Sequence, residues 1–390
     1  MRNDVAAKQK RTTMKFSEIP GHEQAKERMR RMAASDRLPH AILIEGPAGI
    51  GKMAMARAFA QYIHCENPDP QGDACGECQA CRLHQSMNHI DVQYVYPVVR
   101  LDGMKTAPTS DDFHQEWTDY LDGRLYMDFR TWADSFGKKN GQPQTYVTES
   151  AVLIHRLAFT SHVSRYKIVI WWLPEKMNEE AANKMLKMIE EPFEDTIFIM
   201  VSDQPREILP TIYSRVQRIE LKRLPDSVVA HYLTDNFDIN ETDAMAIAHI
   251  AEGNATKAIQ AMKQSKETNE FFDLFVRLMR LAYQRNVRSL RDWADELAAM
   301  GREREMRFYE YAMRMVRENF VYNFHEPELT YMTGTEEQFS TRFSRFINEA
   351  NVEKIISTFD KAMTDIAGNA NGKIVNFDVA IKTIMLLIQK

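Results

Sequence analysis

The residues Gly46-Pro47-Ala48-Gly49-Ile50-Gly51-Lys52 have the types and spacing to hold a phosphate group. Glycines at 46, 49 and 51 let backbone N–H groups wrap an anion, a following helix N-terminus adds positive potential, and Lys52 supplies a point charge. The apolar run Ala41–Glu45 reads as a buried strand ahead of the loop, the context this pattern requires. Hydrolysis of a bound nucleotide needs two further groups. A Ser or Thr hydroxyl directly after the lysine holds Mg²⁺, but Met53 stands there, and a thioether is a poor ligand for a hard cation. An Asp, usually with a Glu, at the end of the strand Lys167–Leu173 completes the metal site and polarises water; Leu173 and Pro174 occupy those positions. Glu175 comes one residue late and is expected as a surface carboxylate, because Glu is mostly exposed. The residues predict a degenerate phosphate loop without hydrolysis, in which binding of ATP or ADP without Mg²⁺ stays open.

The chain's four cysteines lie together, as Cys65-x₉-Cys75-x₂-Cys78-x₂-Cys81. Four thiolates at such spacing predict a tetrahedral, closed, structural zinc site; an iron–sulfur cluster is the alternative. His64 and His84 flank the group, and His84 is the weak substitute should one cysteine go unused. The N-terminus, 1–13, is basic and polar without an apolar stretch. It is expected as a disordered extension or the product of a misplaced start ahead of Met14, and not as a secretory signal. Without such a signal, a metal explains the cysteines better than disulfides do.

These groups need elements to position them. With 390 residues, 44% of them hydrophobic, the chain suits two or three domains. Short apolar runs at Ala41–Glu45, Val92–Val95, Lys167–Leu173 and Thr196–Ser202 alternate with helical stretches, predicting an α/β domain with a parallel sheet over 14–221. Pro225-Asp226-Ser227 opens a helix and Gly253-Asn254-Ala255 breaks one, marking a small helical module over 222–266. From 267 to 390 the pattern is helical, with apolar stripes Phe271, Leu274, Phe275, Leu278, Leu281 and Phe308, Tyr311, Ala312, Met315, Val316, read as helix-bundle core. The stretch 100–145 is polar and aromatic-rich, and reads as a helical insertion or an unusual long loop. No apolar run reaches the ~20 residues that a membrane span needs. The net charge of −5 gives no global attraction to nucleic acid, so any such contact is local or shared with partners.

Several blocks together resemble the clamp-loader branch of AAA+ proteins. They are Phe16-Ser17-Glu18-Ile19-Pro20-Gly21-His22 with Arg37-Leu38-Pro39-His40, Asn183-Lys184-Met185-Leu186-Lys187 leading to Glu190-Glu191-Pro192, Leu209-Pro210-Thr211-Ile212-Tyr213-Ser214-Arg215, and Gly368-Asn369-Ala370-Asn371 before an apolar helix. The resemblance implies a nucleotide-fold domain carrying the zinc module (65–81), a lid (222–266), and a collar (267–390) that holds a ring of subunits together. It implies that Arg215 is an arginine finger reaching a neighbouring subunit's ATP site, since Ser214-Arg215 looks like the family's Ser-Arg-Cys motif with Val216 in place of Cys. Ser202 sits where the family keeps a polar sensor, here vestigial. The implied partners are the gamma/tau motor subunits, the delta subunit and, indirectly, the sliding clamp and primed DNA, in the bacterial cytoplasm.

The departures at Met53, Leu173 and Pro174 favour a non-hydrolysing member over a motor. Two other functions compete: an active clamp-loader ATPase in which Glu175 and an unusual Mg²⁺ site compensate, and a DNA reader acting through its zinc module. The acidic balance and the lack of a basic stripe near Cys65–Cys81 weigh against the last.

Overall fold

A computed structural model describes residues 15–35, 38–137, 141–237, 239–324 and 332–388. The expected extension over 1–13, the Met14 start and Arg37 of the quoted blocks lie outside the described residues. The chain divides into two compact units, Met1–Ala261 and Met262–Lys390.

The first unit is built on a parallel sheet of strands β1 (Ala41–Glu45), β2 (Val92–Val95), β3 (Lys167–Trp172), β4 (Thr196–Ser202) and β5 (Gln217–Glu220), in the order β2-β3-β4-β1-β5. β1, β3 and β4 are apolar runs of Ile, Val, Leu, Phe and Trp because helices cover both faces. Leu43, Val169, Trp171, Phe198 and Met200 pack with Leu153, Met185 and Ile189 into one core. The sequence gives little sign of β5: in Gln-Arg-Ile-Glu only Ile219 is buried, as suits an edge strand. β3 stops at Trp172 and not at Leu173, because Leu173 turns left-handed at φ 57°. The register pairs Glu45 with Ser202 and Trp172 with Val201. The segments after β1, β3 and β4 therefore leave the same edge, the carboxyl ends at which open α/β sheets place their ligands.

The described residues of 100–145 carry two short helices joined by irregular segments, so the stretch is a helical insertion and not one long loop. A 3₁₀ turn (Ser110–Phe113) leads into helices His114–Leu121 and Phe129–Ser135. Trp117 stacks on Tyr96 at 3.9 Å and meets Trp132 edge-on at 5.2 Å. Trp132 Nε1 donates to the Pro97 carbonyl (2.7 Å), and Tyr96 OH to that of Ser110 (2.6 Å). Aromatic packing and the bonded tips of Trp132 and Tyr96 anchor the insertion beside β2, although Trp117 Nε1 is buried without a partner. Helices Asp226–Asn236 and Glu241–Ala251 then pair, opened at Pro225 and closed before Gly253 as the sequence predicts.

A long helix, Ala255–Tyr283, runs through position 266 without a break. The second unit gathers helices Val287–Ala299, Arg302–Tyr322, Gly334–Phe343, Val352–Ala367 and Gly372–Leu386. Both apolar stripes lie in its core, where Phe275, Leu278, Trp293, Phe308, Ala312, Met315, Ile355 and Phe359 are buried. The exception is Leu281, packed against the core but only partly buried.

Candidate functional site

The loop Gly46–Lys52 joins β1 to the helix Lys52–His64 as its motif requires. Its glycines are used for close approach by the chain's own residues. At Gly49 (φ 74°) a side-chain carbon would lie 2.0 Å from Asn254 Oδ1, and Ala255 N–H donates to the Gly49 carbonyl at 2.9 Å. The Tyr126 ring of the insertion would lie 3.4 Å from such a carbon at Gly51. Thr256 Oγ1 reaches the Met127 carbonyl at 3.4 Å, and Tyr126 meets Tyr232 edge-on at 4.9 Å. Insertion and helical module thus close together over the phosphate loop.

Lys52 is 4% exposed. Its Nζ makes an ion pair with Asp203 Oδ1 at 2.7 Å and donates to the Pro47 carbonyl. Burial pulls its pKa down, while Asp203 and Glu175 oppose the shift. Met53, in place of the Mg²⁺-binding hydroxyl, is buried.

Glu175 overturns the expectation of a surface carboxylate. The left-handed turn at Leu173, followed by the 3₁₀ turn Pro174–Lys176, swings it inward. Its Oε1 accepts from the Asp203 and Gln204 N–H groups at 2.9 and 3.0 Å, and its Oε2 is buried without a hydrogen-bond partner. Burial raises its pKa, and those N–H groups limit the rise. Ser202, at the end of β4, is fully buried beside it. The acid therefore reaches the carboxyl end of the sheet after all, held to the backbone that follows β4.

The four cysteine sulfurs lie within 4.8 Å of one another, with Cys75 and Cys81 at 3.9 Å. Four ligands at about 2.3 Å from a tetrahedral zinc stand about 3.8 Å apart, so the donor set fits that ion. N–H groups of Cys75, Cys78 and Cys81 point at the sulfurs of Cys65, Cys75 and Cys78 at 3.2, 3.3 and 3.5 Å. Such donors stabilise thiolates: the N–H groups of Glu77 and Cys78 bring the Cys75 thiol down to about 6. Burial pushes Cys81 up instead. The substitute role for His84 fails, because its Nε2 faces His64 Nδ1 at 3.0 Å and it groups with histidines. Sequence reading missed Asp73, whose carboxylate accepts the N–H groups of Phe16, Ser17 and Ala74 at 3.0, 2.9 and 2.9 Å. It ties the module to the start of the domain, and no spacing pattern signals it.

Arg215 follows the short helix Pro210–Tyr213. Its Nη2 pairs with Glu190 Oε1 at 2.8 Å and its Nη1 donates to the Thr211 carbonyl at 2.9 Å. The side chain is 43% exposed, within reach of a neighbouring molecule. The fold keeps the phosphate loop, the cysteines and Arg215 as three separate sites.

Comparison with known proteins adds to this geometry. A family model described as "DNA polymerase III, delta subunit" matches residues 21–225, more than half of the chain. The DNA polymerase III subunit delta' of Pseudomonas aeruginosa is 31% identical over 176 residues, 45% of this chain and 41% of that protein. The Bacillus subtilis delta' subunit is 26% identical, covering 64% and 61%, and the tau subunit of the same organism is 24% identical, covering 64% and 38%. The chain thus spans less than two thirds of the length of each of these relatives. Among solved structures, a gamma-subunit-related protein of Thermotoga maritima aligns over 93% of this chain and 99% of its own, at 13% identity and a TM-score of 0.33. The match over 21–225 takes in the phosphate loop, the cysteines and Arg215, and the chain belongs to the DNA polymerase III delta-subunit family of clamp-loader proteins.

Proposed function

We propose that this chain is a non-hydrolysing stator subunit of the replicative clamp loader. In this role it completes the ATP site of a neighbouring motor subunit during loading of the sliding clamp onto primed DNA. The observation that carries the proposal is the buried Lys52–Asp203 pair. The cation that should meet a nucleotide's phosphates already has an internal counter-charge, and the next side chain is a buried thioether. An anion entering the loop must break that pair, and Mg²⁺ finds no hydroxyl.

Arg215 is the group offered to the neighbour. Its pair with Glu190 is half-exposed, worth roughly 0–1 kcal/mol, so it yields readily to a more highly charged partner. A guanidinium placed against a transferring phosphoryl group stabilises the charge developing there. Cys65, Cys75, Cys78 and Cys81 would hold zinc, which supplies no chemistry beyond closing the module. Gamma/tau and delta subunits are the implied partners, in the bacterial cytoplasm. No helix among the described residues is long and apolar enough to cross a membrane.

A second reading, an active gamma/tau-type ATPase, draws on Glu175, a half-buried acid at the carboxyl end of the sheet close enough to Lys52 to act on it. The test reconstitutes the loader with motor and delta subunits and measures primer-DNA-stimulated ATPase, with the chain alone as baseline. The expected result is no hydrolysis alone, full activity in the complex, and a loss on the order of 10³-fold with Arg215→Ala. Unchanged activity in the variant complex removes the finger role. Hydrolysis by the chain alone establishes the second reading.

A further inference from the structure

Close to the cysteine module, three histidines come together that no function above uses. His64 ends the helix Lys52–His64, His84 lies in the helix Gln79–Gln85, and His89 precedes β2. All three are buried, at 5%, 5% and 4% exposure, with ligand nitrogens within 4.8 Å of one another. His64 Nδ1 and His84 Nε2 stand 3.0 Å apart, and the ring centres are separated by 5.1, 4.6 and 4.7 Å. We propose that His64, His84 and His89 form a second metal site, distinct from the four cysteines, for a borderline divalent ion such as Zn²⁺.

The surroundings orient the rings as a ligand set needs. A carbonyl oxygen only accepts, so His64 Nε2, 2.9 Å from the Tyr166 carbonyl, carries its proton and leaves Nδ1 with a lone pair. His89 Nε2 meets Ser164 Oγ at 3.2 Å, while its Nδ1 receives a long bond of 3.2 Å from the Asp91 N–H. His64 thus has the usual arrangement around a ligating histidine, Nε2 fixed by a carbonyl and Nδ1 turned to the cluster, whereas His89 ligates only by giving up one of its two long contacts.

Charge decides which ion fits. The Asp91 carboxylate, fixed by the N–H groups of His162, Val163 and Ser164 at 2.7, 2.7 and 2.9 Å, acts on His64 and His89. The buried Arg57 guanidinium, 3.2 Å from Met87 Sδ, acts on His84 in the opposite sense. With these opposed, imidazole affinity must hold the ion, which favours zinc and its neighbours over Mg²⁺ or Ca²⁺. A cavity of about 590 Å³ borders the cluster at His89, with Ile90 and Asp91 also in its lining. Three imidazoles buried only to fill space would carry a desolvation cost that apolar side chains avoid.

The test uses the full chain without a polyhistidine tag, stripped of metal and reloaded separately with zinc and with cobalt. Metal per chain is counted after gel filtration, and the sulfur-to-cobalt absorption band reports the cysteine site independently. The expected result is two equivalents in the wild type. His89→Gln and His64→Asn should each bind one, with the sulfur-to-cobalt band intact as proof that the module still folds. One equivalent in the wild type with the band present leaves the histidines empty and overturns the proposal. Two equivalents retained in both variants overturn it as well, by placing the second ion elsewhere. The wild-type count stands whether or not a variant folds.

Discussion

The cysteine module and the phosphate loop are both built to surround a small charged ligand, but they differ in what the chain supplies. In the module, four sulfurs converge and backbone N–H groups favour the thiolate form, while the Lys15 ammonium sits on the Cys75 carbonyl at 2.9 Å and not in an ion pair with a carboxylate. In the loop, the cation and its counter-ion both belong to the chain, and Asn254, Thr256 and Tyr126 crowd the glycines. Converging charge of one sign is expensive to bury and calls for a partner; a neutralised pair does not. A ligand motif therefore shows what a loop descends from, and the balance of charge within it shows whether it still needs the ligand.

The largest effect should come from the module. Cys78→Ser removes one of the four proposed zinc ligands, and Asp73 links the module to Phe16 and Ser17. Loss of a structural zinc is expected to cost on the order of 5 kcal/mol, because metal binding here is also folding free energy. Thermal melting should show a lower midpoint for the variant and for wild type treated with a strong chelator. Millimolar pyrophosphate should leave the wild-type midpoint where it is. A midpoint indifferent to chelator, or raised by pyrophosphate, would break the contrast from one side or the other.

A third buried charge sharpens the comparison, because it lacks what Lys52 and Asp203 give each other. The Glu149 carboxylate is 4% exposed and accepts the Ser110 N–H at 2.6 Å at the start of the insertion. Burial raises its pKa from 4.5 to about 7 against the help of Ser110. The folded chain therefore holds this proton more tightly than the unfolded one. The stabilisation is full below about pH 4.5 and is lost as pH rises through about 7. Glu149→Gln, which keeps an acceptor without the charge, is expected to stabilise the protein by about 3 kcal/mol at pH 8 and to make little difference at pH 4. Urea unfolding of both proteins at the two pH values measures it. An equal effect at both would mean that the fold leaves the Glu149 pKa where the unfolded chain has it.

How much of this was legible follows from the range of each interaction. The phosphate loop, the cysteine spacing, four of the strands and the stripes of the second unit are local patterns, and the fold places them as expected. β5 was missed because its single buried residue, Ile219, leaves no alternation to read. Glu175 was misplaced because the left-handed turn at Leu173 has no sequence signature: Leu rarely adopts φ 57°, and only the surrounding packing imposes it. His84 reads as a weak substitute ligand for the cysteines because Cys81 and His84 share one short helix, and spacing does not say which neighbour each side chain meets. The Lys52–Asp203 pair joins residues far apart in the chain, and the motif that names Lys52 says nothing of its partner.

That pair supplies the smallest of these effects and the most direct test of the contrast. Asp203→Ala leaves the Lys52 ammonium, 3% exposed, with the Pro47 carbonyl and the nearby Glu175 as its remaining support. Removing one partner of a fully buried pair costs roughly 3–5 kcal/mol. Asp203 is 22% exposed and Glu175 offsets part of the loss, so about 2 kcal/mol is expected. The vacated position suits an anion, because the Lys52 ammonium still borders it. Pyrophosphate should then recover part of the variant's stability in proportion to its occupancy while leaving wild type unchanged. Chemical denaturation with and without pyrophosphate reads both numbers. A variant that gains nothing would mean that Asn254, Thr256 and Tyr126, not Asp203, keep anions out of the loop.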